Sequence, residues 1–171
     1  MTVSARSEHP RGAAAARCLR ERARRYLAAL RQGDAELSIL VVDDRAMLRL
    51  NRAWRGRNSA TDVLSFPHVG PAAGRLLGDV VISLDTARRA ASSAGRTLGG
   101  ELDRYLAHGI LHLLGYDHHR AADARRMSAA EDALVGEGMV SAARPGARSG
   151  SSLGRGRGSR SGSRSKSSSM P

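Results

Sequence analysis

Three histidines near the C-terminal third of the chain, His108, His112 and His118, have the residue type and spacing of zinc ligands. His108 and His112 are four residues apart, so on a helix both imidazoles lie on one face within reach of a single ion. Gly115 breaks that helix, and a turn there can fold His118 back toward the other two rings. Three imidazole ligands leave one coordination position for water, whose pKa zinc lowers to about 7. The spacing therefore predicts a catalytic type of zinc site, with one ion per chain.

The other histidines leave one alternative open. Four of the six histidines lie between positions 108 and 119, and spacing alone allows His119 to replace His118 as the third ligand. His9 and His68 are interpreted as ordinary loop residues, although a loop position would also let His68 approach a substrate.

The spacing HxxxHxxGxxH is also that of zinc peptidases, in which a glutamate follows the first histidine and acts as general base. In this chain that position is Gly109. Because glycine cannot take a proton from water, the pattern favours a metal site and argues against peptide hydrolysis by that mechanism.

Apolar periodicity predicts the elements that must position these residues. Helical spacing is expected over 13–31, 45–54, 84–94, 100–114 and 121–135, and β-rich runs predict strands over 36–42, 61–67 and 77–83. Asp43 or Asp44 is expected to cap the second helix, and Pro67 to end the second of these strands. The metal ligands then lie on the fourth helix and in the turn after it.

Charge and composition limit the kinds of partner and fold that can be expected. The 171 residues suffice for one domain, and a chain that is 41% hydrophobic but only 3% aromatic should fill its core with aliphatic side chains. The net charge is +12, of which Arg144 to Pro171 contribute seven basic residues and no acidic one, so residues 1–143 carry +5. Both parts suit a polyanionic partner such as RNA.

The C-terminal segment and the single cysteine predict organisation and location. Residues 141–171 are rich in Gly, Ser and Arg and poor in apolar side chains, so a disordered basic tail is expected after a folded domain at residues 1–140. Cys18 cannot form an internal disulfide, and no long apolar run is present, which favours a cytoplasmic protein with no membrane segment.

Four sequence blocks resemble the YbeY family of bacterial endoribonucleases and rRNA maturation factors. They are Leu50-Asn-Arg-Ala-Trp-Arg-Gly56, Thr61-Asp-Val-Leu-Ser-Phe-Pro67, Leu77-Gly-Asp-Val-Val-Ile-Ser83 and His108-Gly-Ile-Leu-His-Leu-Leu-Gly-Tyr-Asp-His118. The resemblance covers about residues 36–137, and the last block is the most specific.

The resemblance implies an α+β fold, with a small mixed sheet of about four strands packed with about five helices. It implies that a zinc ion is held by His108, His112 and His118, and it places the family's functionally important arginine at Arg55. A guanidinium near the metal could bind a phosphate through two hydrogen bonds and stabilise charge that develops during cleavage.

The resemblance also implies a function: zinc-dependent, single-strand-specific cleavage of RNA in the maturation of the 3′ end of 16S rRNA and in ribosome quality control. The implied partners are the small ribosomal subunit, a ribosomal protein and an Era-like GTPase. One rival is an assembly factor that binds RNA and keeps the zinc only for structure. A second rival is a metal hydrolase of small molecules or peptides.

The chain departs from the family pattern at its N-terminus, where the segment before Glu36 is rich in Ala and Arg. Only Thr2-Val-Ser4 could supply the family's first strand, so that strand is in doubt. Asp117 could either orient a ligand or cap a turn, and Thr61 and Asp62 could serve the start of a strand rather than the site.

Overall fold

Four strands form a mixed sheet in the computed structural model, which describes residues 1–68 and 75–142, the last six by backbone alone. The strands are β1 (Thr2–Ser7), β2 (Glu36–Val42), β3 (Val63–Pro67) and β4 (Leu76–Ser83), in the order β1-β2-β4-β3. β1, β2 and β4 are parallel, whereas β3 pairs antiparallel with β4 and forms one edge.

Five helices pack with this sheet in the described part of the chain: α1 (Ala13–Ala29), α2 (Asp44–Arg55), α3 (Leu84–Ser93), α4 (Leu98–Leu113) and α5 (Ala121–Ala142). The predicted class is confirmed, an α+β fold with four strands in a mixed sheet and five helices.

The first strand, which the sequence left in doubt, is present and longer than Thr2-Val-Ser4. β1 pairs with β2 from Thr2↔Glu36 to Ser7↔Val41. Val3 is 5% exposed and belongs to the main core, and Ala5 packs against that core, so these side chains and the pairing with β2 hold this edge strand.

Local signals place the helix ends. Asp43 caps α2 by accepting a hydrogen bond from the Ala46 amide at 2.7 Å, as predicted. α4 begins at Leu98, two residues earlier than predicted, because the Thr97 hydroxyl accepts from the Gly100 amide. α1 ends at Ala29 rather than residue 31, since Arg31 adopts a left-handed conformation with φ of 57°.

The core lies mainly between one face of the sheet and the helices α1, α4 and α5, and its buried side chains are mostly aliphatic, as expected. α4 lies at its centre, with Leu106, Ile110 and Leu111 fully buried. Arg22 of α1 forms an ion pair with Asp103, which is 2% exposed, and so ties α1 to α4. The opposite sheet face carries a small cluster beneath α2 that includes Met47, Leu64 and Val81.

His9 is not the ordinary loop residue that the sequence suggested. It is 8% exposed, its Nδ1 accepts from the Arg11 amide at 3.0 Å, and its Nε2–H donates to Asp85 at 3.1 Å. His9 is therefore a packing residue that joins the end of β1 to α3.

Two predicted features lie largely outside the described residues: the basic tail, of which only residues 141 and 142 are described, and the interior of the loop between His68 and Arg75. Among the described helices, none combines the length and apolar character that a transmembrane span requires.

Candidate metal centre

α4 and the turn after it bring the three predicted ligands together. Gly115 has a φ of 84°, a left-handed conformation that suits glycine, and the Tyr116 amide donates back to the Leu111 carbonyl at 3.0 Å. The chain reverses here, as predicted, and one ring nitrogen from each of His108, His112 and His118 lies within 4.8 Å of the others.

The hydrogen bonds of the two helical ligands leave two lone pairs facing each other. His108 Nδ1–H donates to Glu131 Oε1 at 2.7 Å, and His112 Nδ1–H donates to the Tyr116 carbonyl at 3.0 Å. A neutral imidazole with a protonated Nδ1 has a bare Nε2, and the two Nε2 atoms are 3.0 Å apart. Two acceptors at this distance repel unless a cation lies between them, so the donor set fits a metal ion.

The third position is filled by His118, whose ring centroid is 5.0 Å from that of His112 and 5.7 Å from that of His108. His119, the alternative ligand, instead places its Nε2 3.4 Å from Asp117, and its side chain is 83% exposed. The geometry therefore groups His118, and not His119, with the helical pair.

The electrostatics also favour metal binding. Burial, together with the neighbouring rings of His108 and His118, lowers the pKa of His112. The imidazole is consequently neutral at physiological pH, which is the form that binds metals.

Arg55, the last residue of α2, lines the same hollow as His112 and His118, and Arg57 and Asp117 lie there too. The hollow has a volume of about 590 Å³ and carries two exposed guanidinium side chains beside the imidazoles. Arg55 therefore lies next to the candidate metal centre.

Comparisons with known proteins agree with this geometry. Residues 8–137 match the family model described as Endoribonuclease YbeY. The chain is 64% identical to the endoribonuclease YbeY of Anaeromyxobacter sp. strain Fw109-5, covering 84% of this chain and 76% of the relative. It is also 64% identical to the endoribonuclease YbeY of Anaeromyxobacter dehalogenans, over 88% of this chain and 79% of the relative.

The chain belongs to the YbeY endoribonuclease family. Its fold is similar to the solution structure of TM1509 from Thermotoga maritima, with a TM-score of 0.55 and 21% identity over 88% of this chain and 99% of that one.

Gly109 distinguishes this YbeY-family site from the zinc peptidase pattern for a steric reason. A Cβ at this position would lie 2.9 Å from Val80 Cγ1 and 3.2 Å from Ser65 Oγ, and the Ser65 hydroxyl donates to the Gly109 carbonyl at 3.1 Å. The position faces the sheet rather than the ligands, so a glutamate neither fits there nor reaches the metal centre.

Glu131 of α5 is the residue that sequence reasoning missed. Its carboxylate holds the ring of His108, a role that the sequence could assign only to Asp117. Asp117 instead accepts from the amides of His118 and His119, at 2.6 and 3.2 Å, and so caps the turn. Those two amide donors lower the pKa of Asp117 against the opposing effect of desolvation.

Thr61 and Asp62 serve the start of β3. The Thr61 hydroxyl donates to the Asp62 carboxylate at 2.9 Å, and the same oxygen accepts from the Val63 amide at 2.8 Å. These contacts fix the strand that carries Ser65 under α4.

Proposed function

We propose that this protein is a zinc-dependent, single-strand-specific endoribonuclease that acts on RNA of the small ribosomal subunit, at the 3′ end of 16S rRNA. The observation that carries the proposal is the pair of bare Nε2 atoms of His108 and His112, which lie close to a ring nitrogen of His118. Arg55 lines the hollow that His112 and His118 also line. The family match, in which relatives are named endoribonucleases, supplies the substrate class.

His108, His112 and His118 are the residues that would hold the zinc. A bound zinc with three imidazole ligands supplies Lewis-acid activation of water or of a phosphoryl oxygen. Glu131 fixes the ring of His108, and the Tyr116 carbonyl fixes that of His112. The two Nε2 atoms therefore keep their orientation whether or not a metal ion is bound.

Arg55 is proposed to bind the phosphate that is cleaved. Its guanidinium offers paired N–H donors that match two phosphate oxygens and can stabilise the extra negative charge of the transition state. Arg57 in the same hollow is proposed to hold a neighbouring phosphate of the strand.

The cleavage test compares the full chain, analysed for metal, with two variants on a single-stranded oligonucleotide of the rRNA 3′ end. His112→Ala should lose zinc and cleavage together. Arg55→Ala should keep zinc and lose roughly 100-fold or more in rate, since removing one donor that stabilises transition-state charge costs about that much. His119→Ala, in the same hollow but outside the ligand group, is the matched control and should keep both.

A non-catalytic assembly factor that binds RNA is the second candidate. Among the described residues, both carboxylates next to the ligands are engaged, Glu131 by His108 and Asp117 by two amides, so neither is a ready proton donor for a leaving oxygen. Zinc-loaded protein that binds the oligonucleotide but cuts it no faster than His112→Ala would favour this candidate and contradict the nuclease.

Cytoplasmic location and contact with a ribosomal protein and an Era-like GTPase belong to the same proposal. They rest on the family match and on the net charge of +12, which suits association with a ribonucleoprotein particle. Copurification of tagged chain with small-subunit precursors at moderate salt is the expected result. The division into a domain at 1–140 and a tail at 141–171 is likewise proposed, with the basic tail as a second RNA contact.

A further inference from the structure

Part of one sheet face is left open in the described structure. α2 covers the row that runs Leu40, Val81 and Leu64 across three strands. The next row, Ser38, Asp79 and Phe66, lies beyond the helix. Together with the C-terminal turn of α2, this face forms a hollow of about 550 Å³. That volume is within the range of small-molecule sites and is ample for a nucleobase.

An aromatic pair forms the wall of this hollow. Trp54 and Phe66, the only tryptophan and the only phenylalanine of the chain, contact each other edge to face, with ring centroids 5.7 Å apart. Trp54 is 70% exposed, the most exposed large apolar side chain in the part of the chain that the structure describes. The aliphatic core makes no use of this ring, so its exposed face is available to a ligand.

The hollow and the candidate metal centre share two elements. Trp54 and Arg55 are consecutive in the last turn of α2, and Arg55 lines the metal-side hollow. On β3, the Ser65 hydroxyl donates to the Gly109 carbonyl of α4. The next residue, Phe66, lies on the other face of the strand and contacts Trp54. A strand of RNA that crosses the β3 edge would therefore meet Arg55 on one side and Trp54 on the other.

Four polar side chains line the hollow, Arg6, Ser38, His68 and Asp79, and the last three offer hydrogen-bond partners to the edge of a base. The Asp79 carboxylate repels phosphate but accepts from the exocyclic amino groups of adenine, cytosine or guanine, and Ser38 both donates and accepts. Arg6 lines the hollow itself, and Arg49 and Arg52 are exposed on α2, so positive charge is available to attract the backbone that carries the base. This combination of an exposed aromatic ring with nearby arginines is typical of single-strand binding.

We infer that this hollow is a nucleobase-binding subsite, in which Trp54 stacks on a base of single-stranded RNA next to the phosphate held by Arg55. The inference rests on the RNA-binding part of the proposed function. It adds a residue that selects unpaired RNA, because a base can lie on Trp54 only when it is free of its duplex partner.

The sole tryptophan makes the test direct. Titration of the full chain with a short 2′-O-methyl oligoadenylate should quench Trp54 fluorescence, and an abasic oligomer of the same length should not. Affinity is measured separately by the anisotropy of labelled oligonucleotide. Trp54→Ala should weaken binding roughly 5- to 150-fold, the range that loss of one stacked base represents, and Trp54→Phe should restore most of it.

Leu76→Ala is the matched control, because Leu76, the first residue of β4, is an exposed apolar residue, 44% accessible, that does not line the hollow. It should leave both quenching and affinity unchanged. If Trp54→Ala bound the oligonucleotide with wild-type affinity, the nucleobase subsite would be contradicted and a protein partner would become the better occupant of the hollow. Equal quenching by the abasic oligomer would contradict the subsite in the same way.

Cleavage of an unmodified single-stranded oligonucleotide by the same protein preparations separates this inference from the proposed function, because the 2′-O-methyl strand is used only to measure binding. Quenching by single strands without any cleavage would contradict the nuclease but support the subsite. Metal-dependent cleavage that Trp54→Ala leaves unchanged, with unchanged affinity, would support the nuclease and overturn the subsite.

Discussion

Glu131 connects α5 to the candidate metal centre through a single hydrogen bond to His108 Nδ1. A carboxylate in this position fixes the tautomer and makes the opposite ring nitrogen a better donor to a metal. The sequence could place His108 and His112 because an i, i+4 spacing on a helix is local information. It could not place Glu131, which lies 23 residues from His108 and meets it only when α5 packs on α4.

Glu131→Gln should therefore lower zinc affinity by roughly 10- to 100-fold, the usual effect of removing such a partner. Competition with a chromogenic chelator measures the affinity directly. Asp132→Asn is the matched control, since Asp132 is an exposed neighbour on the same helix. Equal zinc affinity in Glu131→Gln and Asp132→Asn would contradict a supporting role for Glu131.

A substitution at Gly109 tests how tightly α4 packs on the sheet. Gly109→Ala puts a Cβ 2.9 Å from Val80 Cγ1 and should lower the free energy of unfolding by about 1–3 kcal/mol, as overpacking does. Gly136→Ala, on α5 with no atom within 4 Å of the new Cβ, should instead add about 0.5–1 kcal/mol. Urea unfolding of both variants gives the comparison. A Gly109→Ala protein as stable as wild type would show that α4 does not pack this tightly.

Asp44, the first residue of α2, is held by side chains from the start of α3 and the residue before it. Its carboxylate accepts from the hydroxyls of Ser83 at 2.6 Å and Thr86 at 2.8 Å and from Arg89 at 2.6 Å. Burial opposes its ionisation, but these donors outweigh burial and lower the pKa of the Asp44 carboxyl to about 2. The first turn of α2, the helix that ends at Arg55, is thus fixed to the start of α3.

This network should make stability sensitive to acid. The pKa of Asp44 is depressed in the folded chain relative to about 3.9 in the unfolded chain, so its contribution is complete above pH ~4 and is lost as the pH falls toward 2. Asp44→Asn should be less stable than wild type at neutral pH and lose less stability over that window. Urea unfolding at several pH values measures both effects.

Asp34→Asn is the control for that experiment, because the Asp34 side chain is 81% exposed and its nearest guanidinium is 4.0 Å away. It should follow the wild-type acid profile. An Asp44→Asn profile that parallels wild type down to pH 2 would contradict the network's role.

Element boundaries were predictable where a local signal exists and not where a contact from elsewhere decides. In the sequence, Asp43 predicts a helix cap and Gly115 predicts a helix end, and the structure confirms both. β1 remained in doubt because a short edge strand with one core residue, Val3, carries little pattern of its own and is defined by its pairing with β2. His9 was misjudged for the same reason, since its partner Asp85 lies 76 residues away.

At the scale of the whole molecule, the sheet separates two surfaces. One face packs against α1 and α4, and α5 packs on those two helices to complete the core. α4 carries two of the candidate metal ligands, His108 and His112. The other face is only partly covered by α2, so Arg55 and Trp54 reach the two sides of one sheet edge. The sequence predicted the fold class and the grouping of three histidines. The sheet face that is left open among the described residues follows only from how few residues α2 covers.

Zinc content is the measurement that tests the central claim most directly. Elemental analysis of the purified full chain, after zinc loading and removal of free ion, should give one zinc per wild-type and per His119→Ala chain, and little or none for His112→Ala. A folded His112→Ala protein that keeps a full equivalent of zinc, or a wild-type chain that takes up none, would contradict a metal centre built from His108, His112 and His118.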